Sequence, residues 1–392
     1  MIYLCVFIVC LWTVFQYDIK KKIGYRKVFY ILLFLLAIGI AGCRFVVGGD
    51  TVRYIRHFEN YPLLQDIDLF SYVLYDPFWL LLNSIIKTIW DNFIFFQFVH
   101  AILVNVVFFY LAKSYSNYRY TVILFYFIYL YIYYNMEILR EVLAINLFLL
   151  ALPSYEKKKW VRYYLYTLGG FMFHSSAIIT LLLPLFRNIN LSIFKICVLI
   201  VSSSLVFGYF SDLLDFFLLN PAMVQRFETY KDMSLNFNAK LLHILSFVIL
   251  PIIIIHINDR KINNGKPFWQ ILYMPYFFIA SLSVGNTAIG NRFMNYMIPI
   301  LLFYYVDFIY AAYQSIYMRK VRGLFFIIVI CIPLMIEFRG YFKDTSYALP
   351  GSKNYFRWYP FTNIFEIEDS QQQQIVYERE KYVDALMFES LK

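Results

Sequence analysis

Residues 160–186, "WVRYYLYTLGGFMFHSSAIITLLLPLF", are apolar for most of their length, yet they are interrupted by Gly169-Gly170 and hold a histidine, His174, near the middle. Read as one membrane crossing, the stretch sends Arg260, Lys261, Lys266, Arg319, Lys320 and Arg322 to the side opposite the earlier basic loops. Read as two half-spans broken at the glycine pair and turning near His174, it keeps every basic loop on one side. Short loops rich in Lys and Arg stay cytoplasmic, so the broken reading is preferred. Glycine pairs are places where membrane helices break, and non-helical backbone at that depth needs protein or a water-filled cavity around it.

The rest of the chain has the same character. Its 392 residues are 61% hydrophobic, 22% aromatic and only 15% charged, against about a quarter charged in soluble globular proteins. Apolar runs close to the ~20 residues that cross hydrocarbon as a helix recur along it. They lack the period-2 alternation of barrel strands, so the spans are helices. The expected fold is an all-α polytopic integral membrane protein of about twelve transmembrane helices, with a broken helix near His174 and outer-face loops. One multi-span domain covers residues 1–338 and a polar extracytoplasmic tail covers residues 339–392. The net charge of +10 comes from short inter-span loops, which points to membrane sidedness and away from nucleic acid. Cys5, Cys10, Cys43, Cys197 and Cys331 form no CxxC pair, and the histidines have no ligand spacing. Neither a disulfide framework nor a metal site is expected.

Walking the chain fixes the sides. Met1 to Tyr17 is a retained first span without a basic n-region, and "DIKKKIGYRK" after it is cytoplasmic. Further spans are expected at about 28–43, 93–112, 120–134 and 138–153, then the broken element, then about 191–209, 240–257, 268–285, 295–316 and 323–338. Both termini are then extracytoplasmic. The segment "DPFWLLLNSIIKTIW" (76–90) is short for a crossing and reads as interfacial or re-entrant. The tail, with "QQQQ" and a mixed-charge end, reads as low-complexity and mobile.

Polar groups collect in the loops that this map puts outside. "RFVVGGDTVRYIRHF" (44–58) carries Arg44, Asp50, Arg53 and Arg56; the fifth span opens with Glu137, Arg140 and Glu141; His174 sits at the break, Arg226 and Glu228 in a long loop, and Arg292 in "GNRFMNY". Arginines there run against the positive-inside bias. A diphosphate would explain them, because planar guanidinium groups grip phosphate oxygens bidentately. Arg44 is either such a ligand or a snorkelling anchor. Asp50, after two glycines, is a turn residue or the N-cap of "TVRYIRHF", with a carboxylate free to orient an arginine or accept a proton. Glu137, Arg140 and Glu141 fall on one helical face, as a structural ion-pair cluster or a catalytic one. His174 either faces a cavity or is a satisfied core histidine. Asp66-Ile67-Asp68 lacks the βαβ context of a soluble glycosyltransferase, and GxSxG, HExxH and P-loop motifs are absent from the sequence.

Four stretches in this order, "RFVVGGDTVRY" (44–54), "NMEILREVLA" (135–144), "FHSSA" (173–177) and "NRFMNY" (291–296), resemble the EpsG-like family of exopolysaccharide polymerases, relatives of the Wzy-type O-antigen polymerases. The likeness runs through about residue 338. It implies a membrane glycosyltransferase of the bacterial cytoplasmic (inner) membrane, joining oligosaccharide repeat units carried on undecaprenyl diphosphate into exopolysaccharide, capsule or O-antigen at the outer face. By matching position, Arg44, Asp50, Thr51, Tyr54, Arg140, His174 and Arg292 correspond to the pattern. Arg140 and Arg292 would hold the diphosphate, His174 or Asp50 would take the proton, and Tyr54 would stack on sugar, with Arg53, Glu137 and Glu141 around the substrate. Glu141 stands where the pattern has glutamine. No metal or other cofactor is required; membrane lipid, a chain-length regulator and a flippase are the implied partners, with no nucleic acid. A lipid-linked oligosaccharide flippase, which should show two similar halves, and a polysaccharide O-acyltransferase built on His174 are the alternatives. The sugar, its linkage and the stereochemical outcome are not written in the sequence.

Overall fold

The computed structural model describes residues 2–67, 76–217, 237–259, 267–315, 339–343 and 353–365, with Met335 and Ile375 beside them. Among the described residues every regular element is helical, and extended backbone pairs only at an isolated bridge between Arg44 and Asn363. Five helices are long and apolar enough to cross a membrane, at Ile2–Ile19, Phe93–Tyr115, Lys240–Ile257, Phe268–Gly285 and Gly290–Gln314, with shorter apolar helices between them. The chain is a multi-span helical membrane protein. The expectation of about twelve crossings is not reached among the described residues, because several apolar runs form helices too short to span alone. The last expected span lies outside them apart from Met335, as do Arg226, Glu228 and Asp68.

The chain divides into two units, residues 1–150, 169–175 and 326–392 in the first and residues 151–168 and 176–325 in the second. In the first, α1 (Ile2–Thr13) continues through a π turn (Val14–Ile19). It is followed by α2 (Arg26–Gly42), α3 (Thr51–Asn60), α4 (Pro77–Ile89), α5 (Phe93–Tyr115), α6 (Arg119–Tyr129), α7 (Tyr131–Met136) and α8 (Leu139–Glu156). Local chemistry sets the starts: the Asn92 side chain accepts from the N–H groups of Ile94 and Phe95, and Pro77 opens α4 where its missing N–H costs nothing.

Long-range hydrogen bonds define two ends of this unit. At one, Gln97 donates to the carbonyls of Gly42 (3.0 Å) and Arg44 (2.8 Å), and His100 Nε2 lies 2.8 Å from the Leu139 carbonyl. At the other, Asp18 accepts from the Thr121 N–H at 2.7 Å and its hydroxyl at 3.0 Å, and Tyr120 donates to the Arg26 carbonyl. Lys20, Lys21, Lys22, Arg26, Lys27, Lys113 and Arg119 all belong to the second end, so the basic loops expected inside gather there, at the end opposite Arg44, Arg53 and Arg140. Between the ends, Asn105, Asn135 and Tyr126 close a ring of buried hydrogen bonds at 2.8–3.0 Å. Lipid offers no hydrophobic drive between helices, so such polar links and close packing carry their association. Gly42 shows the packing: a methyl there would lie 2.6 Å from Phe98.

The remaining elements are α9 (Trp160–Phe173), a 3-10 turn (Ser175–Ala177), α10 (Ile178–Phe186), α11 (Ile193–Phe217), α12 (Phe237–Ile244), a π segment (Leu245–Ile249), α13 (Leu250–Ile257), α14 (Pro267–Gly285) and α15 (Thr287–Gln314). At 1.5 Å per residue, α9 and α10 reach only about 21 and 14 Å, short of a ~30 Å hydrocarbon core. Moreover, α10 returns to where α9 began: Arg187 donates to the carbonyls of Glu156 (3.0 Å) and Tyr155 (3.3 Å), and Tyr163 donates to Thr180. The two-half-span reading therefore fits, with one correction. The helix runs intact through Gly169-Gly170 and breaks at His174 instead, and a methyl at Gly169 would make only ordinary contacts with Leu147 and Phe78, at 3.4–3.8 Å.

Candidate functional site

The end of the first unit that carries the 44–58 stretch gathers most of the residues singled out in the sequence. Its loop is held from beneath. Arg44 is 1% exposed and spends Nε on the Val47 carbonyl (3.0 Å) and Nη1 on that of Ala41. Burial pulls its guanidinium down to about 10, the neighbouring Tyr131, Tyr3 and Glu137 opposing that shift. Thr51 is also buried, its hydroxyl on Val47 (2.7 Å). Both were expected at the substrate; both instead fasten the loop from inside, since a buried donor takes the nearest carbonyl. The loop backbone is constrained as well, with Val46 at φ 51° and Gly48 at φ 115°. Positive φ is costly for a β-branched residue and natural for glycine.

Asp50 occupies the N-cap position of α3 but makes no capping hydrogen bond; it pairs with Arg53 across 3.7 Å, both side chains nearly half exposed. The cap expectation is corrected, and the carboxylate is left open to solvent. Glu137, Arg140 and Glu141 do not form the expected cluster. Because α7 ends at Met136 and α8 starts at Leu139, Glu137 and Arg140 are not on one continuous helix, and the one-face spacing rule does not apply to them. Glu137, 5% exposed, turns to the loop, where Oε1 accepts the Gly49 N–H at 2.7 Å. Glu141 is buried on the first turn of α8.

Arg140 makes its ion pair with Asp76, the residue just before α4, at 3.2 Å, with side chains 36% and 20% exposed. The Tyr54 phenol lies against the same guanidinium, and Tyr61 and His57 are close enough to feel it. Burial pushes the Tyr54 phenol up to about 12, against the pull of Arg140. Burial, then the charges of Arg140 and Arg53, hold His57 below its usual value. The Tyr54 ring packs edge-on against Trp79 at 5.8 Å, which fixes the phenol in place. The result is a partly open cation, braced by a carboxylate and a phenol, beside exposed Asp50 and Arg53. Such a group can accept an anionic oxygen without reorganising.

Two contributors had no warning in the pattern of the sequence. Asp76 shows as a helix start in "DPFW", but nothing links it to a residue 64 positions later. Arg357 arrives from the chain's far end: residues 353–365, expected to be part of a mobile tail, belong to the first unit and pair with the loop, Phe45 N–H to Thr362 (2.9 Å) and Gly48 N–H to Arg357 (2.9 Å). His174, 8% exposed, also belongs to this unit; the residue before it, Phe173, packs on Phe78, two places after Asp76. Arg292 lies in the second unit, half-buried near the start of α15. That unit also contains a cavity of about 890 Å³, lined in part by Arg187, His256, Asp259 and Tyr273.

A family model described as EpsG matches residues 27–362, from the start of α2 through most of the docked C-terminal segment. No curated protein and no solved structure matches the chain.

Proposed function

The chain belongs to the EpsG family of exopolysaccharide and O-antigen polymerase-like proteins, and from that premise we propose that it joins lipid-diphosphate-linked oligosaccharide repeat units at the outer face of the bacterial cytoplasmic membrane. The observation that carries this reading is Arg140: a cation held by Asp76 and Tyr54 and still a third exposed at a loop-covered helix end.

In the proposed transfer, a sugar hydroxyl of the incoming unit attacks the anomeric carbon of the growing chain. The bond from that carbon to the diphosphate oxygen breaks, and its electron pair leaves on the undecaprenyl diphosphate. Arg140 stabilises the charge that builds there. The hydroxyl proton passes to Asp50, whose open carboxylate makes it the preferred base, with His174 as the second candidate. Tyr54, fixed by Trp79 and Arg140, borders the sugar.

Purified protein incubated with lipid-linked repeat units should give a ladder of products. Arg140→Ala should cut the rate by roughly 10²-fold or more, as loss of a preorganised charge partner does. Arg140→Lys should also be poor, because an ammonium cannot form the two-pronged contact. A lysine variant with full rate and chain length would remove bidentate phosphate binding at this position.

A further inference from the structure

The C-terminal segment does more than cover the loop. Its 3-10 turn, Asn354–Arg357, delivers Arg357 to the Gly48-Gly49 turn, while Glu137 reaches the same turn from the link between α7 and α8. A methyl at Gly49 would lie 2.9 Å from Glu137 Oε2, 3.2 Å from Arg357 Cδ and 3.5 Å from Arg357 Nη1. The glycine is thus flanked by a carboxylate and a guanidinium. Arg357 Nε is buried without a hydrogen-bond acceptor among the described residues, and the Glu137 carboxylate on the other side of the glycine is an opposite charge that feels it. The segment is also fastened at both ends, by Gly48 N–H to Arg357 and by Ile364 N–H to Cys43 (3.1 Å), with Thr362 donating its hydroxyl to Phe45 between them.

We propose that Arg357 is a positioning residue for the transfer reaction: acting through Glu137, it clamps the Gly48-Gly49 turn and so aims Asp50, the next residue, at the reacting hydroxyl. The inference rests on the assignment of Asp50 and Arg140 given above. Arg357 touches no reacting atom; it fixes the loop that carries one. Nothing in the sequence pairs position 357 with position 137, and the family match runs through both.

The clamp is pH-dependent. Burial pushes the Glu137 carboxyl up to about 7, against the Gly49 N–H, the Arg357 charge and the Trp358 indole, which favour ionisation; Asp50 adds to the rise. Arg44 and Tyr54 also feel this carboxylate. Since the folded carboxyl holds its proton more tightly than an unfolded glutamate, the fold loses stability as pH rises from about 4.5 to about 7. Glu137→Gln removes that cost, and its amide oxygen can still accept the Gly49 N–H. The variant should therefore be at least as stable as wild type at pH 8 while lacking the charge that draws in Arg357.

Two measurements on the full-length protein in vesicles test the clamp. Infrared difference titration, wild type against Glu137→Gln, follows the Glu137 carboxyl directly. Its midpoint should lie near 7 and move up by about 1 pH unit in Arg357→Gln, as expected for loss of an adjacent opposite charge, and Arg357→Lys should restore most of the shift. Ladder formation should fall on the acid side with the same midpoint in each protein, and Glu137→Gln should lose the acid limb and at least tenfold of the rate. An unmoved infrared midpoint in Arg357→Gln overturns the clamp. A moved midpoint with a rate that falls equally at every pH overturns the link to Asp50. Wild-type protein that makes no ladder overturns the polymerase reading and this positioning role with it, and the titration still decides the Arg357–Glu137 coupling.

Discussion

Asp50 shows what a single side chain is asked to do here. It stands where a helix cap would stand but accepts no backbone N–H; its partner is the exposed Arg53. Neither Asp50→Asn nor Asp50→Ala removes a buried interaction, and both should leave stability within about 0.5 kcal/mol of wild type, as surface changes do. Both should cut ladder formation by about 10²-fold or more, the usual cost of losing a general base. Thermal scans beside the polymerisation assay separate the two effects, and an active asparagine variant would move the base to His174. Residue types at this end were legible in the sequence: arginines on the wrong side of the charge bias, an aspartate after two glycines. Partners were not. Spacing puts both Glu137 and Glu141 within reach of Arg140, yet the ion pair observed is with Asp76, because pairing depends on where two helices end and not on spacing alone.

Among the elements, the loop between α2 and α3 leaves little freedom. Gly48 has φ 115°, and a methyl there would also meet the Met136 carbonyl at 2.5 Å and Thr51 Oγ1 at 2.7 Å. Gly48→Ala should cost about 1–3 kcal/mol of local strain and abolish activity through the displaced Asp50. Gly24, also in a loop, has nothing within 4 Å of its missing side chain, and Gly24→Ala should be neutral to within about 0.5 kcal/mol. Equal thermal midpoints for the two variants would show that the loop can relax around Gly48. The glycine pair at 169–170 teaches the opposite lesson. It reads as a break, and it lies inside an unbroken helix. Composition marks where a helix is able to bend; neighbours decide whether it does.

For the whole molecule, the sidedness of the chain is the testable property. The α9–α10 hairpin returns Arg187 to Glu156, so Lys159→Cys and Asn188→Cys should react with an impermeant thiol reagent from the same side of the membrane. The proposed topology makes that side cytoplasmic, and makes Lys353→Cys external together with the Asp50 loop, which the C-terminal segment touches. The labelling belongs in a background without the native cysteines, since Cys5 and Cys197 are exposed. Labels entering at 159 but not at 353 in intact cells would invert the topology; labels that divide 159 from 188 would make residues 160–186 a single crossing.

The sequence by itself determined the solvent of this protein, the helical class and the family, because each depends on composition, period or a short motif read in order. Those quantities are local, and a chain carries them before it folds. The tertiary structure alone decided which carboxylate braces Arg140, that Arg44 and Thr51 lie under the loop and not on it, and that residues 353–365 close over Gly48 and Gly49. Each of these joins positions 64 to more than 300 residues apart, or turns on the direction of one buried side chain. No local period encodes such a pairing; it appears only when packing has brought buried donors and charges to the partners that satisfy them.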